Sequence, residues 1–199
     1  TLPIVHRGMI HDQVVKTMGY GGRRTGLSLE WRDKRLFSIA AGLFASGLDS
    51  HYLSDGFAED WVGRAGVTPL LGLTVGANVY GHTDARIPGN IKRGIAYGLD
   101  ATFDRWGLRA WIESLFGDNL TAASGVPFFA AGRILAAYRI DLGREIWAEP
   151  FAFAEALDPN VIVRDDAALR LAGGVTVGRG AHYRAQLEIA RRMPEPAAL

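Results

Sequence analysis

Ten stretches of this chain alternate apolar and polar residues, and that period of two constrains the fold more than any other feature. The clearest runs are residues 71–79 (LGLTVGANV) and 95–103 (IAYGLDATF). Successive side chains of an extended chain point to opposite faces, so each run reads as a strand with one apolar and one polar side. The runs fall at 24–32, 35–46, 58–68, 70–82, 92–104, 107–118, 129–141, 145–156, 166–178 and 181–192. Tight connections at Asp33-Lys34, Pro69, Arg105-Trp106, Leu142-Gly143-Arg144 and Arg179-Gly180 separate members of hairpins. Longer ones, rich in Gly, Asp, Asn and Pro, lie around Ser46–Gly56, Thr83–Asn90, Gly117–Pro127 and Asp158–Asp165. Short turns at one rim and long loops at the other are the pattern of an outer-membrane barrel.

The two faces separate cleanly. One collects Leu27, Leu29 and Trp31, then Phe37, Ile39 and Leu43, then Leu73, Val75, Leu99, Phe103, Ile134, Leu171, Val177, Leu187 and Ile189. The other collects Glu30, Arg64, Thr74, Asn78, Asp100, Thr102, Glu113, Arg133, Thr176, Gln186 and Glu188. Lipid and water on opposite sides of a single wall require this division. Trp31, Phe37, Phe103, Trp106 and Tyr183 sit near the short-turn ends, where an aromatic girdle meets a membrane interface. A soluble barrel or sandwich writes the same alternation with its apolar face turned inward. The mixed charges and small residues of the polar face favour the membrane form, as does the lack of apolar surplus for a second layer. The expected fold is therefore all-β: an antiparallel transmembrane β-barrel with about ten readable strands, residues 1–199 forming a single domain.

Composition agrees with this and excludes other classes. No run of about 18 or more apolar residues is present, so a spanning helix is ruled out, whereas a membrane strand needs only about 9–11 residues. The chain has no cysteine, hence no disulfide framework and no thiolate metal site. A net charge of +1 supplies no global field for nucleic acid, and no nucleic-acid partner is expected. The opening residues Thr1–Arg7 lack the basic start and apolar core of a signal peptide, as expected of a chain that is mature, truncated or cytoplasmic. Met9, Ile10, Val14, Val15 and Met18 share one face of an expected short helix ending near Gly19–Gly22.

At residues 22–47 the strand pattern carries a recognisable string, Gly22-Arg23-Arg24-Thr25-Gly26-Leu27-Ser28-Leu29-Glu30-Trp31 followed by Leu36-Phe37-Ser38-Ile39-Ala40-Ala41-Gly42-Leu43-Phe44. It resembles the phosphate-selective porin O and P family, in which a Gly-Arg-x-Thr-Gly strand start precedes a hairpin with an Ala-x-Gly-x-Phe stretch. Residues 2–10 (LPIVHRGMI), 63–69 (GRAGVTP) and 149–159 (EPFAFAEALDP) are similar to further segments of that family. The resemblance implies a passive outer-membrane channel for small polar or anionic solutes, phosphate among them. It also implies sixteen strands, a homotrimer, and contact with membrane lipid and lipopolysaccharide. On that footing this chain is the C-terminal part of the barrel, and residues 1–22 belong to a loop folded into the pore. Two departures stand out. Phe153-Ala154 occupies the place of the family's Arg-Tyr, and residues 193–199 replace a terminal aromatic.

A channel sets ionic preference by charge on its wet side. The polar-face arginines are Arg64, Arg109, Arg133, Arg139, Arg170 and Arg184. Guanidinium binds phosphate or carboxylate through two N–H groups, which suits an anion path. The alternative is that they pair with Glu30, Asp100, Glu113, Glu149, Glu155 and Glu188 on neighbouring strands and brace the wall. Arg23 and Arg24 open a strand and are candidates for a constriction. Arg86, Lys92 and Arg93 flank a long loop and suit a solvated rim or lipopolysaccharide phosphates. Enzyme readings are weaker. The histidines at 6, 11, 51, 82 and 182 lack metal-ligand spacing, and Gly19–Gly22 precedes no phosphate-binding helix. No catalysis, cofactor or metal is expected. A structural barrel anchoring a larger envelope assembly stays open as the second reading, with a barrel enzyme third.

Overall fold

The computed structural model describes residue 18 and residues 25–33, 36–45, 59–87, 90–122, 125–164, 166–180 and 183–194. The alternation becomes eleven strands: β1 (Thr25–Arg32), β2 (Phe37–Ala45), β3 (Glu59–Leu70), β4 (Leu73–Ile87), β5 (Asn90–Arg105), β6 (Leu108–Asp118), β7 (Phe128–Tyr138), β8 (Ile140–Gly143), β9 (Ile146–Asp158), β10 (Ala168–Arg179) and β11 (Tyr183–Pro194). They form one antiparallel sheet in the order β1-β2-β3-β4-β5-β6-β7-β9-β10-β11, with β8 paired to β9 beside that path. No helix occurs among the described residues. No ladder joins β1 to β11, so each presents one edge without a strand partner among the described residues.

Two sequence expectations change. The run over 129–141 is two strands, because Arg139 leaves the β7 ladder and donates its backbone N–H to the Gly107 carbonyl at 2.8 Å. The connection expected over Thr83–Asn90 is mostly paired strand, with Thr83 opposite Arg93 and Asp84 opposite Lys92. Polar residues there read as loop, yet polarity does not stop ladder pairing outside an apolar layer. Of the helix expected before Gly19, only Met18 is described. Its side chain is buried against Ala96, Leu120, Phe129, Ala131 and Leu157, and its carbonyl accepts from Leu120 N at 3.3 Å.

The short turns are laced together in one direction. The carbonyls of Leu36, Gly72, Gly107 and Glu145 each accept a backbone N–H from the following hairpin, given by Thr68, Asp104, Arg139 and Gly180 at 2.6–2.8 Å. Each hairpin is thus staggered against the next by the same kind of contact, which fixes its register.

The register also sorts the side chains. Outward residues include Leu27, Leu99, Ile112, Ile134, Leu171 and Leu187, all exposed, with Leu99 at 58%. Residues one position along, such as Asp100, Arg133, Glu155 and Thr176, are buried. Over the middle strands this inverts the usual globular arrangement, the apolar face meeting the surroundings while the charged face is covered; toward β1 and β11 inward charges such as Glu30, Arg184 and Arg192 are exposed. Described outward charges lie only near strand ends, at Arg93, Arg105, Asp118, Asp158, Arg179 and Arg191.

Candidate functional site

The inward face carries a row of charges, unlike charges standing opposite one another from β6 to β10 and like charges at either end, Asp100 with Glu113 and Arg170 with Arg192. Pairing places Asp100, Glu113, Arg133, Glu155, Arg170 and Arg192 opposite one another in turn across β5, β6, β7, β9, β10 and β11. Directly opposed side chains on one face lie close enough to interact. Arg133 Nη2 donates to Glu113 Oε2 at 3.1 Å, and its Nη1 lies 3.8 Å from Glu155 Oε1. Arg170 lies 3.5 Å from Glu155 Oε2 and donates to Glu188 Oε1 at 2.9 Å. Gln186 Nε2 continues the chain to Glu188 Oε2 at 3.3 Å, and Thr176 Oγ1 donates to Gln186 Oε1 at the same distance.

Arg64 joins from β3 by reaching across β4. Both of its terminal nitrogens donate to Asp100, at 2.6 and 2.7 Å, the two-pronged geometry in which guanidinium binds carboxylate best. The crossing passes over Gly76. A Cβ there would stand 2.6 Å from Arg64 Nη2 and 2.8 Å from Asp100 Oδ2, so glycine is what admits the bridge. Nearer the short turns Arg109 lies 3.2 Å from Glu149 and 3.5 Å from Asp104. Burial raises the stakes of this network: Arg133 is 6% exposed and Glu155 1%, where an uncompensated charge is severely penalised.

Of the eight arginines singled out in the sequence, Arg64, Arg109, Arg133 and Arg170 meet acids within the sheet. Arg139 stands in the break between β7 and β8, donates to Asp141 at 3.2 Å and lies over the Trp147 ring at 4.6 Å. Arg184 is exposed on β11 and has no acid partner among the described residues. Arg23 and Arg24 lie outside the described residues, as does Arg86's side chain. The acids Asp100, Glu113, Glu149, Glu155 and Glu188 all take part in ion pairs with these arginines, while Glu30 pairs with Arg32 at 2.7 Å.

Sequence reading missed two inward groups. Trp111, Leu135, Phe153 and Ala172 stand in register across β6, β7, β9 and β10, with Phe151 beside them, and form a buried apolar belt between the two charged levels. Arg133 stacks over Trp111 at 4.1 Å and Arg170 over Phe153 at 5.0 Å. The signal was available, because Phe151 and Phe153 share parity with Glu149 and Glu155 while Pro150, Ala152 and Ala154 take the other face. The second group is Asp60, which accepts from Tyr80 Oη at 3.4 Å and from Thr83 N at 3.2 Å and contacts His82 Nδ1. Its members come from two strands, a spatial pairing that spacing cannot reveal. Among the described residues no cluster of His, Asp and Glu has the makings of a metal site.

The sequence matches no family model, and no match to a curated protein or a solved structure was found.

Proposed function

We propose that this chain forms the wall of an outer-membrane channel through which small polar solutes diffuse, with little preference for the sign of their charge. One observation carries the reading: the exposed face is apolar along every strand, while the charges between strand ends are gathered on the opposite face. In water such a surface invites aggregation, whereas in a bilayer it is the required one. A lipid-embedded sheet tolerates no open edge, so the reading includes closure of the wall beyond β1 and β11. The charge-paired lining supports weak selectivity, since each buried guanidinium has a carboxylate beside it and the net field is small.

Reconstitution into planar bilayers tests the proposal. Steady ohmic steps are the expected outcome, with a reversal potential near zero under a salt gradient. A chain that stays in the aqueous phase, or aggregates there, sinks it. A second reading, a structural barrel that anchors a larger envelope assembly, is favoured by the packed belt of Leu135, Phe151 and Phe153, an apolar cluster on the inward face where a water-lined channel would carry polar groups. Insertion without conductance is the outcome that belongs to that reading.

A further inference from the structure

At the short-turn rim the outward face ends on a cation with no acid paired to it among the described residues. Arg105 has outward parity: its hairpin partner is Leu108, and it follows Phe103 on that face. Asp104 turns to the other face and lies 3.5 Å from Arg109, and no ion pair joins Arg105 to an acid among the described residues. Instead its guanidinium carbon stands 4.1 Å from the centroid of the Trp106 ring. Stacking covers one face of the guanidinium and leaves its in-plane N–H groups free to donate.

Trp106 occupies a position that suits it poorly on two counts. With Gly107 it forms the two-residue turn between β5 and β6, and both take left-handed backbone angles, φ 55° and 80°. Asn, Asp or Gly is the ordinary first residue of such a turn, and a bulky aromatic is strained there. The indole is also 73% exposed, with Phe103 6.2 Å away as its neighbouring ring. A strained backbone that presents an exposed aromatic is a pointer to function. On a lipid-facing surface, moreover, an anionic headgroup is the counter-charge at hand, since no acid among the described residues pairs with Arg105.

We propose that the Arg105–Trp106 turn binds an anionic phospholipid, the guanidinium taking the lipid phosphate and the indole lying at the boundary between headgroup and acyl chain. Guanidinium matches phosphate through paired donors, and indole prefers that boundary layer. The inference rests on the membrane-wall reading above and deepens it by naming a specific lipid contact.

The test uses vesicles of phosphatidylcholine doped with brominated phosphatidylglycerol, the difference in quenching between the wild type and Trp106→Phe isolating Trp106. Arg105→Gln should shift half-maximal quenching of Trp106 to about fivefold more phosphatidylglycerol. Arg105→Lys should recover most of the loss. An unchanged midpoint in Arg105→Gln overturns the proposal, as does equal quenching of wild-type Trp106 by brominated phosphatidylcholine, a comparison that needs no Arg105 variant to fold. Release of the contact by free glycerophosphate at the same concentration also overturns it, since the site would then be one for any phosphate. Because the chain has no cysteine, single spin labels at positions 99 and 100 report insertion independently. Failure of those labels to differ in oxygen access refutes the wall reading, and the lipid site with it. Insertion with an unchanged quenching midpoint refutes the lipid site alone.

Discussion

Single residues in this sheet are constrained mainly by what crosses over them. Gly76 lies under the Arg64–Asp100 bridge, and the atoms that a methyl group would strike first are the tip of a flexible arginine and the carboxylate it holds. Gly117 is confined by backbone instead: a Cβ there would stand 2.6 Å from both Ala96 Cα and the Ile95 carbonyl oxygen. Gly117→Ala should therefore destabilise the folded protein in detergent by about 1–3 kcal/mol. Gly76→Ala should cost less and show its effect in the bridge, and urea midpoints of the two variants check the order. Trp106 gives the opposite sign. Asn at that position fits the left-handed turn, so Trp106→Asn should raise stability in detergent by about 1 kcal/mol. An unchanged or lower midpoint would show that the indole's contacts with Arg105 and Phe103 outweigh the backbone strain.

At the level of the strand, neighbouring positions should behave in opposite ways. Leu99→Arg puts a charge on the outward face and should cost about 2–4 kcal/mol in lipid if position 99 lies near the midplane. Arg133→Met leaves Glu113 and Glu155 without their shared cation and should cost about 3–5 kcal/mol by the same refolding measurement. Arg184 is exposed and has no acid partner among the described residues, so Arg184→Gln should leave folding intact while moving the reversal potential toward cation preference. These contrasts rest on parity, and parity was legible in the sequence: period two alone divides Leu99 from Asp100 and Leu171 from Arg170. What parity could not tell is which inward residues are covered. Glu-Pro-Phe-Ala-Phe-Ala-Glu over 149–155 places two phenylalanines on the charged side, but their burial in one cluster with Leu135, and the cover of Phe153 by Arg170, depend on strands 15 or more residues away. Strand ends were less legible for a related reason. The polar sequence after His82 reads as loop, yet it continues the β4–β5 ladder because water does not forbid a strand with two polar faces.

Across the whole sheet the charges cancel locally rather than globally. Glu113 on β6 is linked through Arg133, Glu155 and Arg170 to Glu188 on β11 by a ladder in which cations and anions share neighbours, so loss of one member should be felt beyond its nearest partner. The double variant Arg133→Gln/Arg170→Gln is expected to differ from the sum of its single variants by about 0.5–3 kcal/mol, because both arginines share Glu155. Strict additivity in refolding titrations would mean that the ladder is a set of independent pairs. The lacing of the short turns has a consequence of another kind. Turn carbonyls that take part recur every 35 to 38 residues, each overlapped by the next like boards on a clinker-built hull. No hairpin in such a series is a keystone. A chain of this construction lengthens or shortens by whole planks, and an internal duplication of about 36 residues delivers a ready-made addition that already knows how to seat against its neighbour. The width of the sheet is then open to change by copying, while the joint between boards stays the same.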